Sequence, residues 1–310
     1  MTVTPLQGIT HACFGLSYLL AFGLEVARLL WPAAGWRAAA LAAGAAGVVA
    51  HTAYLALHRP NPAAPYWLLL LLAWVLALFY LRGTVHYARQ AWAVFVLPVV
   101  IGLVGLSLAL TAAAPDTPPL DLPGWLSGDR FWGVVHGSLI LLAAVGVSVA
   151  FLASVMYLAQ ARRVRHKVNP ARVVPLLSLE RLETMNRRAV NLAFPLLTAG
   201  LLVGSFLLRH DHDVDSWLSL KVLSTGGLWV VFLVLLYLRY AADVPGRRLA
   251  WLSIAAFGLL LVALGAAHPF ARMRNADFGM RNQNQESADG YCLHSAFRNP
   301  HSAFGDRRSP

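Results

Sequence analysis

Eight separate stretches of this chain are each long and apolar enough to cross a lipid bilayer, and that property decides most of how it can fold. They are 9–30, 37–57, 65–81, 91–112, 131–159, 190–208, 217–238 and 249–267. A helical crossing takes about 20 apolar residues. In the hydrocarbon core every backbone N–H and C=O must be satisfied within the protein, which leaves helices and closed barrels as spanning forms. None of the eight stretches alternates polar and apolar residues with the period of two that a barrel strand needs. The predicted fold is therefore an all-α integral membrane protein, a bundle of about eight transmembrane helices. Composition agrees, with 58% hydrophobic and 13% charged residues, where a soluble domain carries about a quarter charged.

The segments between the spans orient the bundle. From Arg162 to Arg188 there are eight Lys/Arg and two Glu, whereas 113–130 holds three Asp and one Arg. Basic loops stay cytoplasmic. Placing 160–189 there puts the turns near 31–36, 82–90 and 239–248 on the same side. With Arg28 at a helix end, these regions hold 15 Lys/Arg, against four (Arg59, Arg130, Arg209 and Lys221) on the other side before the tail. Both termini are then expected outside, in a bacterial-type cytoplasmic (inner) membrane. The net charge of +11 is explained by this bias, and no nucleic-acid partner is expected.

The first span carries Cys13 and Glu25 and lacks a small-residue cleavage site, so it reads as a retained helix and not a removed signal peptide. Cys13 and Cys292 form no CxxC or CxxCH arrangement, which leaves a disulfide framework, a thiol redox motif and thioether-linked haem on this chain unsupported. Ser178 can cap a short interfacial helix whose first turns carry Glu180 and Glu183. The eight-span domain covers 1–272. After Phe270 the composition turns to Asn, Gln, Ser, Gly and Arg, and His294-Ser-Ala-Phe is echoed by His301-Ser-Ala-Phe. Residues 273–310 are expected to be a polar, disordered C-terminal tail.

With so little other polar chemistry near the spans, the histidines carry the functional reading. On this topology His11, His51, His58, His136, His210, His212 and His268 lie at or near the external face, with His51, His136, His210 and His268 where helices meet it. His86 and His166 fall among cytoplasmic arginines. Neutral imidazole is a ready ligand for haem iron and transition metals. No span offers a facing histidine pair at its midplane, so an external site at the membrane surface is favoured over a haem within the bundle. Trp67, Trp125, Trp132, Trp217 and the deeper Trp229 lie on or near that side; interfacial belts account for most tryptophans of this kind, although a porphyrin also needs flat apolar walls. Arg209-His-Asp-His-Asp-Val-Asp admits a metal through His210, His212 and the aspartates, and reads more simply as a solvated hairpin.

Several short stretches fall in a familiar order: Ala73-Trp-Val-Leu, Val94-Phe-Val-Leu-Pro98, Ser178-Leu-Glu-Arg-Leu-Glu-Thr-Met-Asn, Phe194-Pro-Leu-Leu-Thr-Ala-Gly, and Gly246-Arg-Arg-Leu-Ala-Trp251 leading to Phe257-Gly. In them, from about residue 40 to 270, the chain resembles the cytochrome c assembly family of haem-handling membrane proteins, in its eight-span HemX-like and YpjD-like branch. The resemblance implies two external histidines as axial haem ligands, which by position are His136 and His268. It also implies a tryptophan-rich external motif, of which Trp217, Lys221 and Trp229 look like remnants. The motif's aspartate and leading Gly-Trp are not evident in Asp215-Ser-Trp-Leu-Ser-Leu-Lys221. The histidine that larger haem lyases carry at the end of the seventh span is replaced by Leu238-Arg239-Tyr240. External haem binding is thus expected to outlast haem export or ligation, as in a haem chaperone or accessory assembly factor without catalytic residues.

The expected site has His136 and His268 on the iron, Trp217, Trp132 and Trp229 about the ring, and Lys221 or Arg209 on the propionates, with His51 as a secondary metal candidate. The cofactor is non-covalent haem. The partners are haem, an apocytochrome c or another membrane assembly protein, and the lipid bilayer. An alternative of another class is a regulatory or scaffold protein linked to tetrapyrrole synthesis, acting through the basic loop 160–189. A transporter ranks last, because paired midplane charges and broken helices are expected there and Glu25 is the only carboxylate inside a span.

Overall fold

A computed structural model describes residues 11–31, 35–58, 65–86, 90–112, 129–167, 176–210, 220–242 and 244–265. Eight helices run through them: α1 (His11–Leu30), α2 (Trp36–His58), α3 (Pro65–His86), α4 (Trp92–Ala112), α5 (Asp129–Arg165), α6 (Leu179–His210), α7 (Leu220–Tyr240) and α8 (Gly246–Gly265). Each is long and apolar enough to cross a membrane, so the chain is an all-α, multi-pass membrane protein. All eight lie in one compact unit, Met1–Ala267. The expected tail at 273–310 lies outside the described residues.

Successive helices pair, α1 with α2, α3 with α4, α5 with α6 and α7 with α8. The longest, α5, packs also on α8, α3 and α4, and the α1–α2 pair joins the bundle through α1 on α4 and α2 on α3. Small residues set the close approaches. A Cβ on Gly44 would meet the Tyr80 hydroxyl at 2.6 Å, and one on Gly47 would meet the Tyr18 ring at 2.8 Å. Both tyrosines are thereby sunk completely into the bundle. Small residues at such contacts drive helix association in lipid, where no hydrophobic gain separates helix from helix. Leu16, Leu20, Val49, Leu202 and Val230 remain exposed, as faces turned to acyl chains require.

Three elements run past the sequence reading, the simplest being α3, which continues from the expected 81 to His86. The expected short helix after Ser178 and the span at 190–208 are one helix of 32 residues. Ser178 does open it, accepting the Leu182 amide at 3.1 Å, but no breaker intervenes before Phe194. Its first turns bury Leu182, Asn186, Ala189 and Val190, so the interfacial piece packs inward and propagates directly into the span. Similarly α5 runs to Arg165 and ends at Lys167, whose φ of 50° is the left-handed conformation common just past a helix terminus.

Inside the spans hydroxyls avoid desolvation by bonding back along their own helix, as Ser148, Ser154, Ser253 and Thr84 each do to the carbonyl four residues earlier. One interhelical polar cluster joins four helices. Asn186 of α6 donates to the Ala150 carbonyl at 3.0 Å and to Ser154 Oγ at 2.9 Å on α5, and to Ser253 Oγ at 3.0 Å on α8. Arg239 of α7 in turn donates to Asn186 Oδ1 at 2.9 Å.

Candidate functional site

His136 sits seven residues into α5, three to four residues per turn placing it two turns from the helix start and half-buried against α6. Its Nδ1 lies 2.8 Å from the Gly200 carbonyl oxygen. A carbonyl can only accept, so Nδ1 carries the proton and, in the neutral ring, the lone pair is on Nε2. That is the arrangement metal-ligating histidines adopt, with the second nitrogen donating to a backbone carbonyl that fixes tautomer and ring orientation.

One turn nearer the start of α5, Trp132 is 43% exposed and meets Phe206 of α6, itself 52% exposed, with ring centroids 6.3 Å apart. Phe131 packs edge-on against Trp132 at 5.7 Å. These exposed aromatic side chains stand one turn from His136 along α5 and two residues from Gly204 on α6. A lone pair on Nε2 and flat apolar surface beside it are the donor set a porphyrin iron would need from this half of a site, so these residues fit haem.

Trp229 is placed elsewhere. Its Nε1 donates to Thr198 Oγ1 at 2.9 Å and its ring stacks on Phe194 at 5.8 Å, which seats it in the α6–α7 seam. Thr198 and Gly200 are two residues apart, about 200° around a helix, so α6 lies between Trp229 and His136. Arg209 and Lys221 stand at the ends of α6 and α7, with side chains outside the described residues. His268, Trp217, His212 and the aspartates of 211–215 also lie outside them, as does the side chain of His210.

His51, the secondary metal candidate, lies seven residues before the end of α2. It is completely buried between α1 and α2, stacked parallel on Phe14 at 4.2 Å, with Nδ1 3.3 Å from the Tyr18 hydroxyl and no hydrogen-bond partner for Nε2. The close approach of α1 covers it. Among the described residues no three His, Cys, Asp or Glu side chains group as a metal site. Glu25, also fully buried, pairs with Arg28 of the next turn at 2.7 Å.

The sequence reading missed Gly200 and Gly204, which receive the imidazole, although their spacing in an apolar helix was readable. It also missed Thr198 and Phe194, which claim Trp229, and Phe206, which stands beside Trp132.

The family described as Cytochrome C assembly protein matches residues 64–266, which takes in α3 through α8 and leaves α1 and α2 outside. No curated protein and no solved structure matches the chain.

Proposed function

The chain belongs to the cytochrome c assembly protein family, and we propose that within it the protein is a non-covalent haem-binding factor of the HemX-like and YpjD-like eight-span branch that presents haem at the external face of the membrane. The observation that supports this reading is the Nδ1 contact of His136 with the Gly200 carbonyl, which puts the neutral ring's lone pair on Nε2.

In this reading His136 and His268 would hold the haem iron. Trp132 packs the porphyrin edge beside His136, with Phe131 and Phe206 extending the same apolar wall. Trp217 would contribute flat apolar surface, and Lys221 or Arg209 would pair with the propionates. Trp229, tied to Thr198, contributes by fixing α7 against α6. Bound haem supplies the iron and the vinyl groups that a cytochrome receives, while the protein supplies binding and orientation. An apocytochrome c or a second membrane assembly protein takes delivery from the outer side. No catalytic residue is assigned, in keeping with a chaperone role.

Magnetic circular dichroism of haem added to the detergent-purified protein tests the ligand set. A bis-imidazole pattern is expected, and five-coordinate haem or no uptake by folded protein would reject the proposal.

A second reading is supported by the exposed Arg162, Arg165, Lys167, Arg187 and Arg188 at the ends of α5 and α6, the basic surface that a scaffold for a soluble enzyme of tetrapyrrole synthesis would use. Replacing these five by Gln should abolish capture of such an enzyme and leave haem uptake intact; unchanged capture would dismiss it.

A further inference from the structure

The stretch Gly200-Leu-Leu-Val-Gly204 has the small-xxx-small spacing that ordinarily lets two membrane helices approach closely. Here the two glycines meet side chains. A Cβ on Gly200 would lie 2.8 Å from Ile140 Cδ1, and a Cβ on Gly204 would lie 2.7 Å from His136 Cε1 and 3.0 Å from its Nδ1. His136 and Ile140 are one turn apart on α5, as Gly204 and Gly200 are on α6, and the helices run antiparallel. The glycine pair therefore forms a notch whose floor is backbone, with the imidazole at one end and Ile140 at the other. Deeper along the same seam the close approach continues with Gly146 against Ala193, where an added Cβ would come within 2.8 Å.

We infer that Gly200 and Gly204 are positioning residues for haem ligation: Gly204 leaves the space that the His136 ring occupies against α6, and the Gly200 carbonyl holds Nδ1–H so that the neutral ring's lone pair is on Nε2. This rests on His136 being an iron ligand, and it adds what selects the nitrogen and fixes the ring. The carbonyl can serve both α6 and the imidazole because it has two lone pairs.

The geometry gives the consequence of closing the notch. Carbon atoms pack at about 3.5–4.0 Å, so an alanine at 204 must drive Cε1 back by at least about 0.8 Å from its present 2.7 Å separation. Nδ1, bonded to Cε1 and itself 3.0 Å from the added Cβ, must move with it, which strains and weakens the 2.8 Å hydrogen bond to the Gly200 carbonyl. The ring is then freer to rotate and to exchange tautomers. Loss of such a partner behind a metal-binding histidine lowers affinity about 10–100-fold.

The test uses the full-length protein, labelled with ¹⁵N-histidine, in nanodiscs without haem and then titrated with haem. His136→Ala assigns the resonances. Wild type should show His136 protonated at Nδ1 with a pyridine-type Nε2. Gly204→Ala should show mixed tautomers and bind haem about 10–100-fold more weakly, with a low-spin to high-spin change. Gly105→Ala, where an added Cβ meets nothing within 4 Å, should change neither signal. Imidazole should restore low-spin haem to His136→Gly but not to His136→Gly/Gly204→Ala. An Nε2–H tautomer in wild type, or unaltered tautomer and affinity in Gly204→Ala, overturns the inference. Wild type that keeps the Nδ1–H tautomer yet takes up no haem leaves the seat intact and rejects haem binding instead.

Discussion

Replacing Asn186 by alanine should make this bundle markedly easier to unfold. Asn186 is 5% exposed and bridges α5, α7 and α8. Its amide has two N–H groups for three acceptors at 2.9–3.0 Å, so two strong bonds are made at once. Interhelical hydrogen bonds in membranes are worth about 0.6 kcal/mol each, and one from a guanidinium about 1.5–3 kcal/mol. Asn186→Ala removes both kinds, and it also strands Arg239 Nη2 beside an Nη1 that already has no hydrogen-bond partner. The expected loss is about 3–4 kcal/mol, read as the shift in SDS-induced unfolding followed by tryptophan fluorescence. In a double-mutant cycle with Arg239→Ala the coupling should be about 1.5–3 kcal/mol, while Ser154→Ala should couple only at about 0.6 kcal/mol. A loss below about 1 kcal/mol, with Asn186 and Arg239 strictly additive, would refute the reasoning.

Further outcomes follow from the same packing. Gly83→Ala, whose Cβ would run into the fully buried indole of Trp92, should overpack the α3–α4 seam and cost about 1–3 kcal/mol in the same unfolding assay. Arg28→Gln alone, which leaves the buried Glu25 carboxylate uncompensated, should destabilise more than the double change Glu25→Gln/Arg28→Gln, because a broken buried pair costs more than a replaced one; the order of the two unfolding midpoints decides it. Tyr18→Phe with His51→Phe should be nearly neutral, since both partners of one buried bond are replaced by apolar rings of similar shape, whereas His51→Ala should lower the melting temperature measurably.

The eight spans were legible because sustained apolar runs of this length have one stable solution in lipid. Helix ends were less so. The basic segment before Phe194 looked like a separate interfacial helix because charge and amphipathicity end a hydropathy window without ending a helix, and only the packing of Leu182 and Ala189 on α5 shows the continuity. The histidines illustrate the same limit. His136 stood out by position, but its carbonyl partner is 64 residues away and no local pattern pairs them. The burial of His51 was not legible either; it is set by the glycine-lined contact of α2 with Tyr18. Trp132 and Trp229 looked equivalent as aromatic candidates, yet one is exposed beside His136 and the other is bonded to Thr198 across α6, a distinction that depends on which neighbour each helix face meets.

The most direct measurement is an absorption and pyridine-haemochrome spectrum of the detergent-purified protein, with wild type beside His136→Ala and His268→Ala, each offered haem in vitro. A Soret band in wild type that is lost or shifted in both variants is the expected result and identifies a bis-histidine haem site. Folded wild type without haem, or a Soret band indifferent to both substitutions, would contradict haem handling by these residues.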